Sequence, residues 1–126
     1  MAVGGGGVSA TEWNLTPAID WPAAMDAVRG NRELLRELAE LFLEESASLM
    51  AHIRQAIEVG DAARLRRDAH TLKGSLYLFG NCRAIELVNE LERLGREGEL
   101  QAAKRVMAEV DAELRRLVES LRTFSL

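Results

Sequence analysis

In the stretch Arg64–Gly80, RLRRDAHTLKGSLYLFG, a histidine, a lysine and a glycine fall at positions 70, 73 and 74. On a helical wheel of about 100° per residue, Leu65, Ala69, Leu72, Leu76 and Phe79 lie within about 40° of one line. His70 lies about 140° from that line and Gly74 about 180°. Arg66, Lys73 and Tyr77 flank them on one side, and Arg67 stands on the other. The pattern predicts a helix that hides an apolar stripe and presents an imidazole on its opposite face, among cations. Imidazole is a nucleophile with an unperturbed pKa of about 6.5, so it is largely neutral near pH 7. A cation one turn away disfavours its protonation and attracts anionic oxygens. Glycine in a helix interior costs about 1 kcal/mol relative to alanine; at position 74 it clears space beside the imidazole for another backbone or a bulky group. From Asp61 to Arg83 the chain carries five basic and two acidic residues, a local +3 in a chain of net charge −4. A basic island around a solvent-facing imidazole suits a histidine that meets an anion.

His70, Lys73, Gly74, Ser75 and Gly80, in the run AHTLKGS followed by a glycine near the helix end, resemble the signature of histidine-containing phosphotransfer (HPt) domains of two-component phosphorelays. One departure is Leu78, where many bacterial members carry Asn; it bears on local packing or docking rather than on the acceptor. The resemblance implies an antiparallel four-helix bundle. It implies a carrier that takes a phosphoryl group on His70, through its outer ring nitrogen, from the aspartyl-phosphate of a response-regulator receiver domain and passes it on reversibly. The receiver would supply Mg²⁺, and this domain would bind no cofactor and have no ATP site of its own. Such transfer needs mostly positioning and charge stabilisation. By this reading Lys73 neutralises the phosphate, Gly74 admits the partner, and Arg66, Arg67, Ser75 and Tyr77 contact the receiver. The arginines would set receiver preference by electrostatic complementarity.

The elements that must hold this face are legible as amphipathic repeats. Met1–Thr16, with its Gly4–Gly7 run, has no amphipathic period and reads as a flexible segment or linker, leaving 17–126 as the domain. Asp20 caps a short helix with Pro22 in its first turn, ended by Gly30, with Trp21, Met25 and Val28 on one side. It is too short to be stable alone. Asn31 caps a second helix that runs to Gly60, about 42 Å at 1.5 Å per residue. Its stripe is Leu35, Phe42, Leu49 and Ala56, filled in by Leu38, Leu41 and Ile53, with Glu44 and Glu45 facing solvent. Asp61 caps the histidine-bearing helix, which Gly80 ends. Asn81 caps the next, with Ile85, Val88 and Leu91 as its stripe, Leu87 and Leu94 beside it, and Gly95 and Gly98 ending it. The last helix, Leu100 to Leu121, repeats Ala103, Met107, Val110, Leu114, Leu117 and Leu121. Four long helices with short connections predict an all-α, up-and-down four-helix bundle with a short additional N-terminal helix.

Composition bounds the rest. The chain has 126 residues, 48% hydrophobic and 29% charged, enough for one domain with a core. The lone cysteine, Cys82, excludes an internal disulfide. With no signal-peptide pattern at the N-terminus, it points to a cytoplasmic setting. No apolar run approaches the roughly 18 residues of a membrane span. Mild acidity argues against nucleic acid as the main partner. One bundle accounts for the apolar stripes, which favours a monomer; the resemblance implies that its partners are receiver domains or a hybrid sensor kinase carrying one.

Other readings are weaker. A surface histidine taken alone is an ordinary solvated residue, and only its coincidence with Lys73, Gly74 and the opposite core stripe lifts His70 above that. A sensor-kinase histidine box has an acid straight after the His and a proline five residues on; here Thr71 and Ser75 stand there. A docking module that binds a receiver without transfer is the main alternative. A metal-binding bundle needs inward carboxylates and histidines at i, i+3 spacing, which the long helices lack, so no metal site is expected. His52, about 60° off its stripe, reads as a structural histidine at the core edge. Cys82 reads as a small packing residue at a helix start.

Overall fold

The computed structural model describes residues 18–79 and 82–123. Among them are five helices and no strand: α1 Trp21–Ala27, α2 Arg32–Val59, α3 Ala62–Phe79, α4 Cys82–Glu97 and α5 Leu100–Arg122. The expected flexible segment 1–16, the Gly80 stop and the Asn81 cap lie outside the described residues, as does the side chain of Cys82. No described helix is long and apolar enough to cross a membrane.

Local chemistry explains the boundaries. The side chains of Asp20, Asn31 and Asp61 accept from the backbone N–H of Ala23, Leu34 and Arg64 at 3.1, 3.0 and 3.0 Å. Each satisfies one of the donors that a helix start leaves unpaired. Gly60 and Gly98 close α2 and α4 at φ of +79° and +74°, the left-handed conformation that glycine adopts without steric cost.

The apolar stripes meet in one core. α3 packs between α2 and α4, and α5 packs on both α4 and α2. α1 rests on α2 and α3. Leu65, Ala69, Leu72, Leu76 and Phe79 of α3 are all buried, as is every residue of the expected α5 repeat. Leu35, Phe42, Ile53 and Ala56 of α2 are buried, with Leu38 and Leu49 half-buried. Phe79 packs its ring 5.7 Å from that of Phe42 and 6.5 Å from that of Trp21, centroid to centroid. This pins the end of α3 under α1.

Three expectations need correction. Leu41 is 48% exposed rather than part of the core, because it sits about 120° from Leu35 around the helix. His52 is exposed and does not reach the core edge. Gly95 does not end α4. It lies inside the helix, where a Cβ would come 2.7 Å from the backbone N of Arg66 and 3.1 Å from the carbonyl oxygen of Ala62. The missing side chain lets α4 lie against the backbone of α3, one turn before His70.

Candidate functional site

His70 projects from α3 with 68% of its side chain exposed. Its Nδ1 stands 2.9 Å from Oε2 of Glu92 on α4. The other carboxylate oxygen, Oε1, stands 2.7 Å from Nζ of Lys73, which also donates to Oδ1 of Asn89 at 3.1 Å. Glu92 is therefore clasped by both, and only 11% of its side chain is exposed. The Lys73 ammonium beside it holds its carboxyl below the ordinary range. Burial opposes this, and the contact with His70 adds to the lowering. An ionised carboxylate only accepts hydrogen bonds. A neutral His70 must then donate its Nδ1 proton to Glu92, which leaves the lone pair on Nε2.

The packing that brings Glu92 to His70 follows from the sequence. Arg66 and His70 are one turn apart on α3. Glu92 and Gly95 are three apart on α4, so they share a face. Where Gly95 meets the Arg66 backbone, Glu92 is carried to the imidazole. Sequence reasoning missed Glu92, although a signal was present. With Val88 at zero on the wheel, Leu91 lies at about −60°, Gly95 at about −20° and Glu92 at about +40°. A charged residue inside an apolar arc needs a buried partner. Asp68, Ser46 and Glu113 are buried in the same unexpected way. Asp68 is met by Arg67 Nε at 3.4 Å and Arg64 Nε at 3.7 Å, and Arg64 also donates to Gln55 of α2 at 2.8 Å.

The structure gathers some of the expected site residues and separates others. Arg66, Arg67 and His70 line one open cavity of about 370 Å³ with Ala63, Thr71 and Glu92. Lys73 joins them through Glu92. A Cβ built on Gly74 meets nothing within 4 Å, so the space beside the imidazole is open. Tyr77 is 67% exposed. Ser75 stands apart. Its hydroxyl donates back to the Thr71 carbonyl at 3.3 Å, and it borders a shallow depression on the α2 side, with Leu38, Leu41 and Leu78. Among the described residues, no group of three His, Cys, Asp or Glu side chains could hold a metal ion.

An exposed, carboxylate-oriented imidazole on one of five packed helices defines a class: a helical domain that presents a histidine on its surface. The chain belongs to the Hpt domain family, whose sequence pattern matches residues 37–123. Membership carries a histidine phosphotransfer role in phosphorelays, with receiver domains as the family's partners. The fold is similar to the crystal structure of histidine-containing phosphotransfer protein B (HptB) from Pseudomonas aeruginosa PAO1. The TM-score is 0.78 at 24% identity, covering 85% of this chain and 93% of that one. No curated protein is a significant sequence match.

Proposed function

We propose that this domain is a reversible phosphocarrier that accepts a phosphoryl group on Nε2 of His70 from the aspartyl-phosphate of a receiver domain. The observation that carries the reading is the 2.9 Å contact between Nδ1 and Glu92 on a ring otherwise open to solvent. As the N–P bond forms, the P–O bond to the receiver's aspartate breaks and its electron pair leaves on the carboxylate. The Nδ1 proton stays on the ring, so the imidazole becomes cationic. Glu92 fixes the tautomer beforehand and meets that positive charge afterwards, as a carboxylate does behind a catalytic histidine. The reverse step returns the phosphoryl group by the same path.

Lys73 anchors Glu92 and adds positive charge to the site, and Gly74 leaves room for the receiver's backbone. Arg66, Arg67 and Tyr77 face the approaching partner, and Ser75 contacts it at the edge. The receiver supplies Mg²⁺; this domain has neither a bound cofactor nor an ATP site. The circuit of neighbours α2–α3–α4–α5 and the two-residue connections at 60–61 and 98–99 support an antiparallel up-and-down four-helix bundle. We read it as a cytoplasmic monomer comprising 17–126, joined to segment 1–16 as a linker, and serving a free receiver or one within a hybrid sensor kinase.

The test is transfer from a phosphorylated receiver to wild type and to His70→Gln. Label on wild type alone, lost in acid and kept in base, is the expected result. Binding of the receiver with no label on either protein would replace this reading with a docking module.

A further inference from the structure

We propose that Arg66 and Arg67 form the seat of the phosphoryl group on His70, while Lys73 chiefly holds Glu92; this rests on the phosphocarrier reading above. The cavity beside the imidazole is lined by both arginines and not by Lys73. The Cα–Cβ bonds of a helix tilt toward its N-terminus, so the imidazole lies over the preceding turn. Arg67 and Arg66 are the residues three and four positions back, its neighbours on that turn. Lys73 approaches from the following turn and its ammonium is already committed. It lies 2.7 Å from Glu92 and 3.1 Å from Asn89, and only 19% of its side chain is exposed.

The arginines are differently placed. Among the described residues no ion pair ties Arg66. Arg67 is 71% exposed and its one carboxylate contact, to the adjacent Asp68, is long at 3.4 Å. Asp68 also has Arg64 beside it at 3.7 Å, so the exposed Arg67 guanidinium can turn to a dianion without leaving the buried carboxylate alone. Glu92 forms the α4 wall of the cavity and repels a phosphoryl group from that side. Ala63, one turn before the arginines, is too short to fill the space. The Thr71 hydroxyl is engaged with the Arg67 carbonyl at 3.1 Å and does not compete for the seat. Two guanidinium groups can each donate a pair of hydrogen bonds to phosphoryl oxygens, which one ammonium cannot do.

A seat and a docking contact are distinguishable. Docking changes the rate of transfer but not the equilibrium constant between free phosphorylated His70 and free phosphorylated receiver. A seat changes that constant, because it stabilises one product. The experiment compares wild type, Arg66→Gln/Arg67→Gln, the lysine pair Arg66→Lys/Arg67→Lys, and Lys73→Gln, each checked for helicity by circular dichroism. The phosphoryl group is installed with phosphoramidate, from which Nε2 displaces ammonia, and its titration is followed by ³¹P NMR. Equilibrium with one receiver is measured separately.

The glutamine pair is expected to shift the equilibrium roughly tenfold toward the receiver and to raise the ³¹P titration midpoint. The lysine pair should restore part of both, and Lys73→Gln should move both less. Wild-type values in the glutamine pair, or a larger change in Lys73→Gln, would overturn the seat. If wild type takes the group from phosphoramidate but from no receiver, the carrier reading falls and the ³¹P arm alone decides the seat.

Discussion

Gly74 and Gly95 are both interior helical glycines within reach of the same histidine, and they do opposite work. Gly95 opens a space that the protein fills itself: a Cβ there would collide with the Arg66 backbone at 2.7 Å. Gly74 opens a space that the protein leaves empty, with nothing within 4 Å. The first sets the distance between α3 and α4 and brings Glu92 to His70. The second costs helix stability and makes no close contact inside the fold, as the proposed approach of a receiver requires. One amino-acid type at two sites separates what the chain needs in order to fold from what, on the proposed reading, it needs in order to meet a receiver.

Substitution by alanine should split the two. Gly95→Ala forces backbone atoms apart, so it should destabilise the domain by about 1–3 kcal/mol, as overpacking does, and slow phosphotransfer in the same protein. Urea unfolding checks the first effect; unchanged stability would mean that α4 can move away without loss. Glu92→Gln keeps the shape but removes the charge that meets the imidazolium. We expect transfer to fall by roughly tenfold, equivalent to about 1.4 kcal/mol of barrier, with intact helicity. Gly74→Ala should stabilise the domain by about 0.5–1 kcal/mol, since alanine is the better helix former. It should nonetheless slow transfer from a receiver while leaving phosphorylation by phosphoramidate unchanged. A loss of stability at position 74 would end the contrast between the two glycines.

The smallest effect is on pH dependence. Lys73 first, then His70, hold the Glu92 carboxyl below its ordinary value of 4.5, against the opposing pull of burial. A lowered folded pKa contributes stability that is complete above the unfolded value. That stability is lost as pH falls through the lowered folded one. The stability gap between wild type and Glu92→Gln should therefore be constant from pH 7 to about 5 and narrow below about 4.5. A gap that does not narrow below pH 4.5 would show that the Glu92 carboxylate does not carry it.

The same two glycines show how far the sequence could be read. Periodicity placed the buried stripes of α3 and α5 residue by residue, because a long amphipathic repeat is a local property. The spacing of His70, Lys73 and Gly74 is local too, and all three are set on one helix. Glu92 comes from another helix, 22 positions away from His70, and its partner depends on how α3 and α4 approach. Gly95 resembles a helix stop as much as a packing contact until its neighbour is known, and with Gly98 three residues later the stop was the simpler reading. Leu41 misled for a related reason: its type suits a core, but its angle does not. The charge of the Asp61–Arg83 stretch was read without the acid that α4 delivers into it.

Trp21 stands edge-on to Phe79 with ring centroids 6.5 Å apart, and the chain has two tryptophans, the other being Trp13. An indole held against the last residue of the histidine-bearing helix is an intrinsic fluorophore at the seam between α1 and the rest of the fold. In a Trp13→Phe background its emission reports one event, the lifting of α1 from the aromatic cluster. If α1 detaches before the long helices unfold, the emission will shift at a lower urea concentration than the helical signal. If the two coincide, the short helix belongs to the same cooperative unit as the histidine's own helix.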